Sequence, residues 1–137
     1  MTRMTRRQSR EQAFVLMFEK SFRNDEKMED IIAAALESEM LEKDEYSFFV
    51  IDTAEKNLDK IDEQILKYCR GWTILRMPKV SLAIIRVAVT EMLFIESVPV
   101  NVSISEAVEI SKIYGEKNDS SFINGILSSI AKEIKNA

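Results

Sequence analysis

The stretch SLAIIRVAVTEMLFIES, residues 81–97, is the most apolar part of the chain and decides the fold. Such continuous apolar character is typical of a helix that is buried on most of its sides. The longest apolar run in this region, VSLAIIRVAV, has ten residues and contains Arg86, so it is too short to span a membrane. We therefore expect a central helix around which the rest of a globular domain packs.

Amphipathic segments flank this central helix on both sides. Phenylalanines at positions 14, 18 and 22 recur at intervals of four and predict a first helix from about Arg6 to Phe22. The segment 46–69 keeps a helical period and is either one long helix or two helices separated near Asn57, of which two is favoured. The other segments with a helical pattern are about 28–41, 103–115 and 119–134.

Local signals add expectations about the connections. Ser103 with Glu106 three residues later predicts a capping box, and Gly115 predicts a helix stop. In the connector 70–81 we expect Trp72 to be a core anchor. Gly125 lies within the last helical pattern at a cost of about 1 kcal/mol, which predicts close approach of another helix.

The composition argues against an enzyme. The chain contains no histidine, which removes Ser-His-Asp and Cys-His catalysis and imidazole-based zinc sites. Its three glycines are scattered and form no phosphate-binding loop. The single cysteine, Cys69, excludes an internal disulfide and is consistent with a reducing cytoplasm. We therefore expect a cytoplasmic protein with no cofactor, no metal site and no membrane segment.

Positive charge is concentrated at the N-terminus of a net-acidic chain. Arg3, Arg6, Arg7 and Arg10 lie within the first ten residues, before the first acidic residue, whereas the whole chain has 19 basic and 23 acidic residues. Arginines spaced by three or four would line one side of a helix and bind phosphate. The alternative is a solubilising terminus, and charge alone does not decide between the two.

Three further positions leave alternatives open. Arg86 is either an anion ligand or, as we favour, a structural arginine paired with Glu91 or Glu106. Phe122 is either a core residue, which is the usual case, or a platform for base stacking. Phe18 is either a core residue or, where partly exposed, an anchor for a protein partner.

Four sequence blocks resemble the NusB family of bacterial antitermination factors. RRQSREQAFVLMF resembles the family's arginine-rich start, and LAIIRVAVTEMLF resembles its central helix. VPVNVSISEAVEISKIYG and SSFINGIL resemble the two motifs that follow. The blocks occur in the family's order and spacing over nearly the whole chain, most strongly over 72–131.

The resemblance implies an all-α fold of six or seven helices in two small bundles packed roughly perpendicular to each other. It implies a single domain over 1–137, with an N-terminal subbundle over about 6–57 and a C-terminal subbundle over about 58–136. It further implies a factor that is not an enzyme, that binds boxA RNA of ribosomal RNA leader transcripts together with the ribosomal protein NusE, and that helps RNA polymerase read through terminators. Some relatives form homodimers. The alternative is a helical interaction or oligomerisation module without specific RNA binding.

The resemblance also assigns candidate site residues by position. For RNA these are Arg6, Arg7 and Arg10 with the nearby Arg3, the loop residues Lys117 and Asn118, and Phe122 and Asn124. For the protein partner they are Phe18, Lys79, Ser81 and Leu82. Three positions depart from the family pattern: Ser81 often is an acid, Ser105 is usually asparagine, and Asp119 is usually serine.

Overall fold

The computed structural model describes residues 3–135, and within that range the chain is entirely helical. The prediction of an all-α fold with six or seven helices is confirmed. Asn57 separates the third helix from the fourth, so the prediction of two helices there is also confirmed. The helices are α1 (Arg6–Ser21), α2 (Met28–Glu37), α3 (Glu45–Lys56), α4 (Leu58–Lys67), α5 (Lys79–Phe94), α6 (Val100–Tyr114) and α7 (Asp119–Lys135), with a short 3-10 helix at Ile74–Arg76 before α5.

Helix α5 is the centre of the fold. Residues 81–92 are buried with the exception of Arg86, which is half-buried. Two groups of helices pack against α5: α1 and α3 from the N-terminal part, and α4, α6 and α7 from the C-terminal part. The expected boundary between two subbundles, near residues 57 and 58, coincides with the junction of α3 and α4. The division itself stays a prediction.

The one acidic side chain that is fully buried in α5 joins four helices. The Glu91 carboxylate accepts hydrogen bonds from Nε of Arg10 on α1 at 2.8 and 3.1 Å, and from Oγ of Ser103 on α6 at 3.0 Å. The hydroxyl of Tyr46 on α3 donates to it as well. Burial and the hydrogen bond to Glu91 raise the pKa of Tyr46, so its hydroxyl remains a donor.

These contacts correct two predictions. Ser103 does not cap α6, because the helix already begins at Val100 after Pro99, which leaves Ser103 buried within it. Arg86 has the predicted structural role but a different partner: its guanidinium binds both carboxylate oxygens of Asp62 on α4, at 2.8 and 2.9 Å. Glu91 and Glu106, the two partners we expected, are already bound by other donors.

The two helical glycine predictions have different outcomes. Gly115 ends α6 as expected, but with φ −97° rather than a left-handed conformation. A Cβ at this position would lie 2.8 Å from Oδ2 of Asp119 and from the carbonyl oxygen of Ser111, so close packing requires glycine. The predicted close approach at Gly125 is wrong, because nothing lies within 4 Å of a Cβ built there.

Helix α2 is shorter than predicted because its end is closed by a Schellman motif. The amide of Met40 donates to the carbonyl of Ala35 at 2.9 Å, and that of Glu39 donates to Leu36 at 3.2 Å. This motif places Glu39 in the left-handed region at φ 60°, where glycine is the preferred residue.

Replacing Glu39 with glycine is expected to stabilise the protein by up to about 1 kcal/mol, because the left-handed backbone then carries no Cβ penalty. Chemical denaturation measures the change in the free energy of unfolding. The control is Ala33→Gly at an exposed position inside α2, which should destabilise by about 1 kcal/mol. Equal destabilisation by both changes would contradict this account of the α2 end.

Replacing Glu91 with alanine is expected to destabilise the protein by about 3–5 kcal/mol, because the buried guanidinium of Arg10 loses its closest counter-charge and its hydrogen bonds. Adding Arg10→Met should recover a large part of that loss, since the unpaired charge is then gone. The exposed Glu96→Ala variant is the control and should change stability by less than about 0.5 kcal/mol. A loss below about 1 kcal/mol for Glu91→Ala would show that this carboxylate does not join the helices.

Candidate nucleic-acid interface

Helix α1 begins between the predicted arginines. Thr5 caps the helix: its Oγ1 accepts from the amide of Gln8 at 3.1 Å, and the Gln8 side chain accepts from the amide of Thr5 at 2.8 Å. Arg3 therefore precedes the helix, while Arg6 and Arg7 lie in its first turn, which contains no acidic residue. Cations there add to the positive end of the helix dipole, so the field at this end attracts anions.

The two first-turn arginines are exposed but held in place. The guanidinium carbon of Arg6 lies 3.7 Å from the centroid of the Tyr46 ring, a cation–π contact. Arg7 binds the Glu106 carboxylate of α6 with Nε and Nη2, the closest distance being 2.7 Å. The Arg7 hydrogen bonds lower the pKa of Glu106, which keeps the pair ionised. Both arginines are thus pre-oriented on the surface.

Arg10 does not belong to this exposed set. Only 5% of its surface is accessible, and its guanidinium is bound to Glu91 and lies 3.6 Å from Glu106. The prediction that Arg10 contacts RNA is at odds with this burial: Arg10 lies on the same side of α1 as Arg7 but one turn further along, where its side chain is covered and bound to Glu91 of α5. Arg10 positions α1 instead.

The predicted residues of α7 point in different directions. Asn124 lines a groove of about 370 Å³ between α6 and α7, opposite Asn101 and Ser105. Phe122, two positions earlier and so roughly 200° around the helix, packs partly against the core and beside Trp72. Asn124 therefore lies next to α6, the helix whose Glu106 binds Arg7. Phe122 lies on another side of α7.

The loop before α7 is exposed at Lys117 and Asn118. Asp119, which departs from the family pattern, follows this loop as the first residue of α7. Its Oδ2 accepts a hydrogen bond from the amide of Glu116 at 2.6 Å, so one of its carboxylate oxygens already has a partner. Asp119 thus closes the loop from the helix side.

The predicted partner residues separate into accessible and buried ones. Phe18 is half-buried between Phe14 and Phe22, whose ring centroids lie 6.0 and 5.0 Å away. The ammonium of Lys79 lies 5.3 Å above the ring of Phe22, which is 60% exposed. The end of α1 and the start of α5 therefore share one surface. The sequence did not single out Phe22 there, because its spacing from Phe14 and Phe18 made it one more member of an apolar stripe.

Ser81 and Leu82 are not on that surface. Both are buried, with Ser81 completely inaccessible and its hydroxyl without a hydrogen-bond partner among the described residues. The expectation that they contact a partner directly is at odds with this placement, because the first turn of α5 turns them toward the core.

Trp72 was expected in the core and is instead 43% exposed, with its ring centroid 6.1 Å from that of Phe122. The correction follows from the connector, which runs over the surface between α4 and α5. The missed signal is the position of Trp72 between Gly71 and Thr73, outside any helical stripe.

Two kinds of site are absent from residues 3–135. No helix in that range is both long and apolar enough to cross a membrane. No group of three or more potential ligand side chains in that range is arranged to hold a metal ion.

Comparison with known proteins agrees with this architecture. The model of the NusB family matches residues 7–132. The transcription antitermination protein NusB of Natranaerobius thermophilus is 40% identical over 138 residues, covering 98% of this chain and 99% of the relative. The NusB of Acetivibrio thermocellus is 39% identical, covering 94% of this chain and 90% of the relative.

Solved structures show the same similarity. A structure of T. maritima NusB superposes with a TM-score of 0.85 at 35% identity, covering 96% of this chain and 94% of that one. A NusB chain solved with NusE and double-stranded RNA superposes with a TM-score of 0.81 at 26% identity, covering 95% of this chain and 99% of that one. This all-helical chain, with its arginine-bearing first helix, belongs to the NusB family.

Proposed function

We propose that this protein is a transcription antitermination factor that binds boxA RNA of ribosomal RNA leader transcripts together with NusE, and so promotes read-through by RNA polymerase. The observation that carries the proposal is the exposed, pre-oriented pair Arg6 and Arg7 at the start of α1, on a chain with more acidic than basic residues. A relative of the same fold has been solved with NusE and RNA, which supports the same assembly here.

In this proposal the RNA contacts are divided by chemistry. Arg3, Arg6 and Arg7 bind phosphates, because guanidinium groups pair bidentately with them. Asn124 and Asn118 supply amide hydrogen bonds, Lys117 adds a positive charge, and Phe122 adds an aromatic ring. The negative remainder of the surface limits general attraction of nucleic acid, so that contacts with unpaired bases provide the selectivity. Arg10 acts indirectly by fixing α1 on α5.

The proposed NusE surface lies at the other end of α1. Phe22 is its exposed aromatic anchor, Phe18 supports that ring from below, and Lys79 supplies a charge beside it. Exposed aromatic residues in such a position are typical binding hot spots. Ser81 and Leu82, buried in the first turn of α5, make no direct contact with NusE in this proposal.

The proposal places the protein in the cytoplasm, where transcripts emerge, and gives it a binding role without catalysis. The proposal is compatible with a homodimer whose interface covers the RNA-binding surface. A module that only oligomerises is the competing function, and it requires no preference for one RNA sequence.

The direct test is fluorescence anisotropy with a labelled boxA-type RNA and a scrambled RNA, each with and without NusE, at two salt concentrations. We expect tighter binding of the boxA RNA, further tightened by NusE and weakened by salt. Equal, weak binding of both RNAs whether or not NusE is present would overturn the proposal and favour the oligomerisation module.

Combined replacement of Arg3, Arg6 and Arg7 by alanine is expected to weaken RNA binding and to reduce the slope of log affinity against log salt by up to about 2, since each phosphate contact of a single strand contributes about 0.7. Anisotropy titrations at several salt concentrations measure both quantities. The control replaces Lys27, Lys43 and Lys56, which are exposed, and makes the same change in net charge. An equal loss in both triple variants would mean that overall charge, not this site, binds RNA.

Phe22→Ala is expected to weaken NusE binding tenfold or more, about the loss of one hot-spot aromatic, as measured by calorimetric titration. Ser81→Ala should leave NusE binding unchanged and stability within about 0.5 kcal/mol, because its buried hydroxyl has no partner to lose. The control, Phe49→Ala, removes an aromatic ring of similar exposure from α3. Unchanged binding by Phe22→Ala would place the NusE surface elsewhere.

A further inference from the structure

The chain's only tryptophan is exposed in the connector between α4 and α5. The Trp72 amide donates to the carbonyl of Cys69 at 3.1 Å, and Gly71 before it adopts φ 78°, so that a tight turn presents the indole. Nearly half of its surface is in solvent. An exposed indole presents a large aromatic face that a ligand could cover.

The indole is supported from one side. The Phe122 ring, which is anchored against the core, lies 6.1 Å from it with an interplanar angle of 59°. A tilted pair of this kind restrains the indole while leaving it accessible. An aromatic ring that is restrained before binding loses less entropy when it stacks on a ligand.

The sequence on both sides of Trp72 is positively charged. Residues 64–90 contain five basic residues and no acidic one, in a chain that is acidic overall. Lys67 pairs with Glu133 and Arg86 with Asp62, so these two are occupied. Arg70 and Arg76, which flank Trp72, are exposed and form no ion pair with any residue of the described range 3–135.

We infer that Trp72 is a stacking platform for an unpaired RNA base, with Arg70 and Arg76 holding the phosphates on either side. This inference rests on the proposed function and extends its RNA surface from α1 and α7 to the connector. Aromatic faces between unpaired cations suit single-stranded nucleic acid, because every base has a face to stack and every nucleotide has a negative charge. An exposed tryptophan also suits a protein partner, but the absence of acids over 64–90 favours the polyanion.

Because the chain has one tryptophan, its own fluorescence reports on this position. Titration of the full-length protein with boxA-type RNA should quench the tryptophan emission in parallel with the rise in anisotropy of the labelled RNA. Where binding needs NusE, the same titration is done on the complex, and the trace of the Trp72→Phe complex is subtracted to isolate the Trp72 signal.

Variants test whether the stacking contributes to affinity. Trp72→Ala should weaken RNA binding about 5- to 30-fold, and Trp72→Phe should retain most of it, because a smaller ring still stacks. Phe49→Ala on α3 is the matched control and should bind RNA as the unmodified chain does. Thermal unfolding of each variant checks that the fold is intact.

The outcomes separate this inference from the proposed function. RNA binding with an unquenched tryptophan, or with full affinity in Trp72→Ala, overturns the stacking role and leaves RNA recognition standing. A Trp72→Ala variant that loses NusE binding and keeps RNA binding makes the indole a protein contact and overturns the inference as well. No preference for boxA RNA under any condition overturns both.

Discussion

The Glu91 carboxylate is the constraint on which the rest of this structure depends. It is the acceptor for Arg10, Tyr46 and Ser103, which come from three other helices. A buried carboxylate is stable only when such donors surround it. The positions of α1, α3 and α6 along α5 must therefore bring all three donors to Glu91. Arg10 then sets the rotation of α1, and Tyr46 offers its ring to Arg6. The core therefore orients the surface arginines.

The arginines of the surface differ in whether they form an ion pair with an acidic side chain. Arg7 is held by Glu106, and Arg86 by Asp62, whereas the arginines around Trp72 are free of ion pairs within residues 3–135. Held arginines keep a fixed geometry and lose little entropy on binding. Free arginines attract phosphate over a longer range and adapt to its position. Both kinds of arginine contribute to the RNA surface that we propose.

Periodic patterns made most of the helices predictable, because burial of one face repeats every three to four residues. The central position of residues 81–97 followed from their continuous apolar character, whereas the pattern over 46–69 left one helix or two open, with a break near Asn57 favoured. Side chains whose contacts come from distant parts of the sequence were less predictable. Nothing near Arg10 in the sequence marks it as buried, since its partner is 81 positions away. Trp72 was expected in the core because of its residue type, and Phe22 because it continues the apolar stripe of α1, although the turn and the helix end expose them.

The packing of α5 also bears on how the protein unfolds. Helices from both ends of the chain rest on α5 and leave almost none of it in solvent. Removing either group would expose α5 to water along one side, so each group needs α5 to complete its core. We therefore expect the chain to unfold as one cooperative unit, with the amides of α5 exchanging with solvent only when the whole molecule opens.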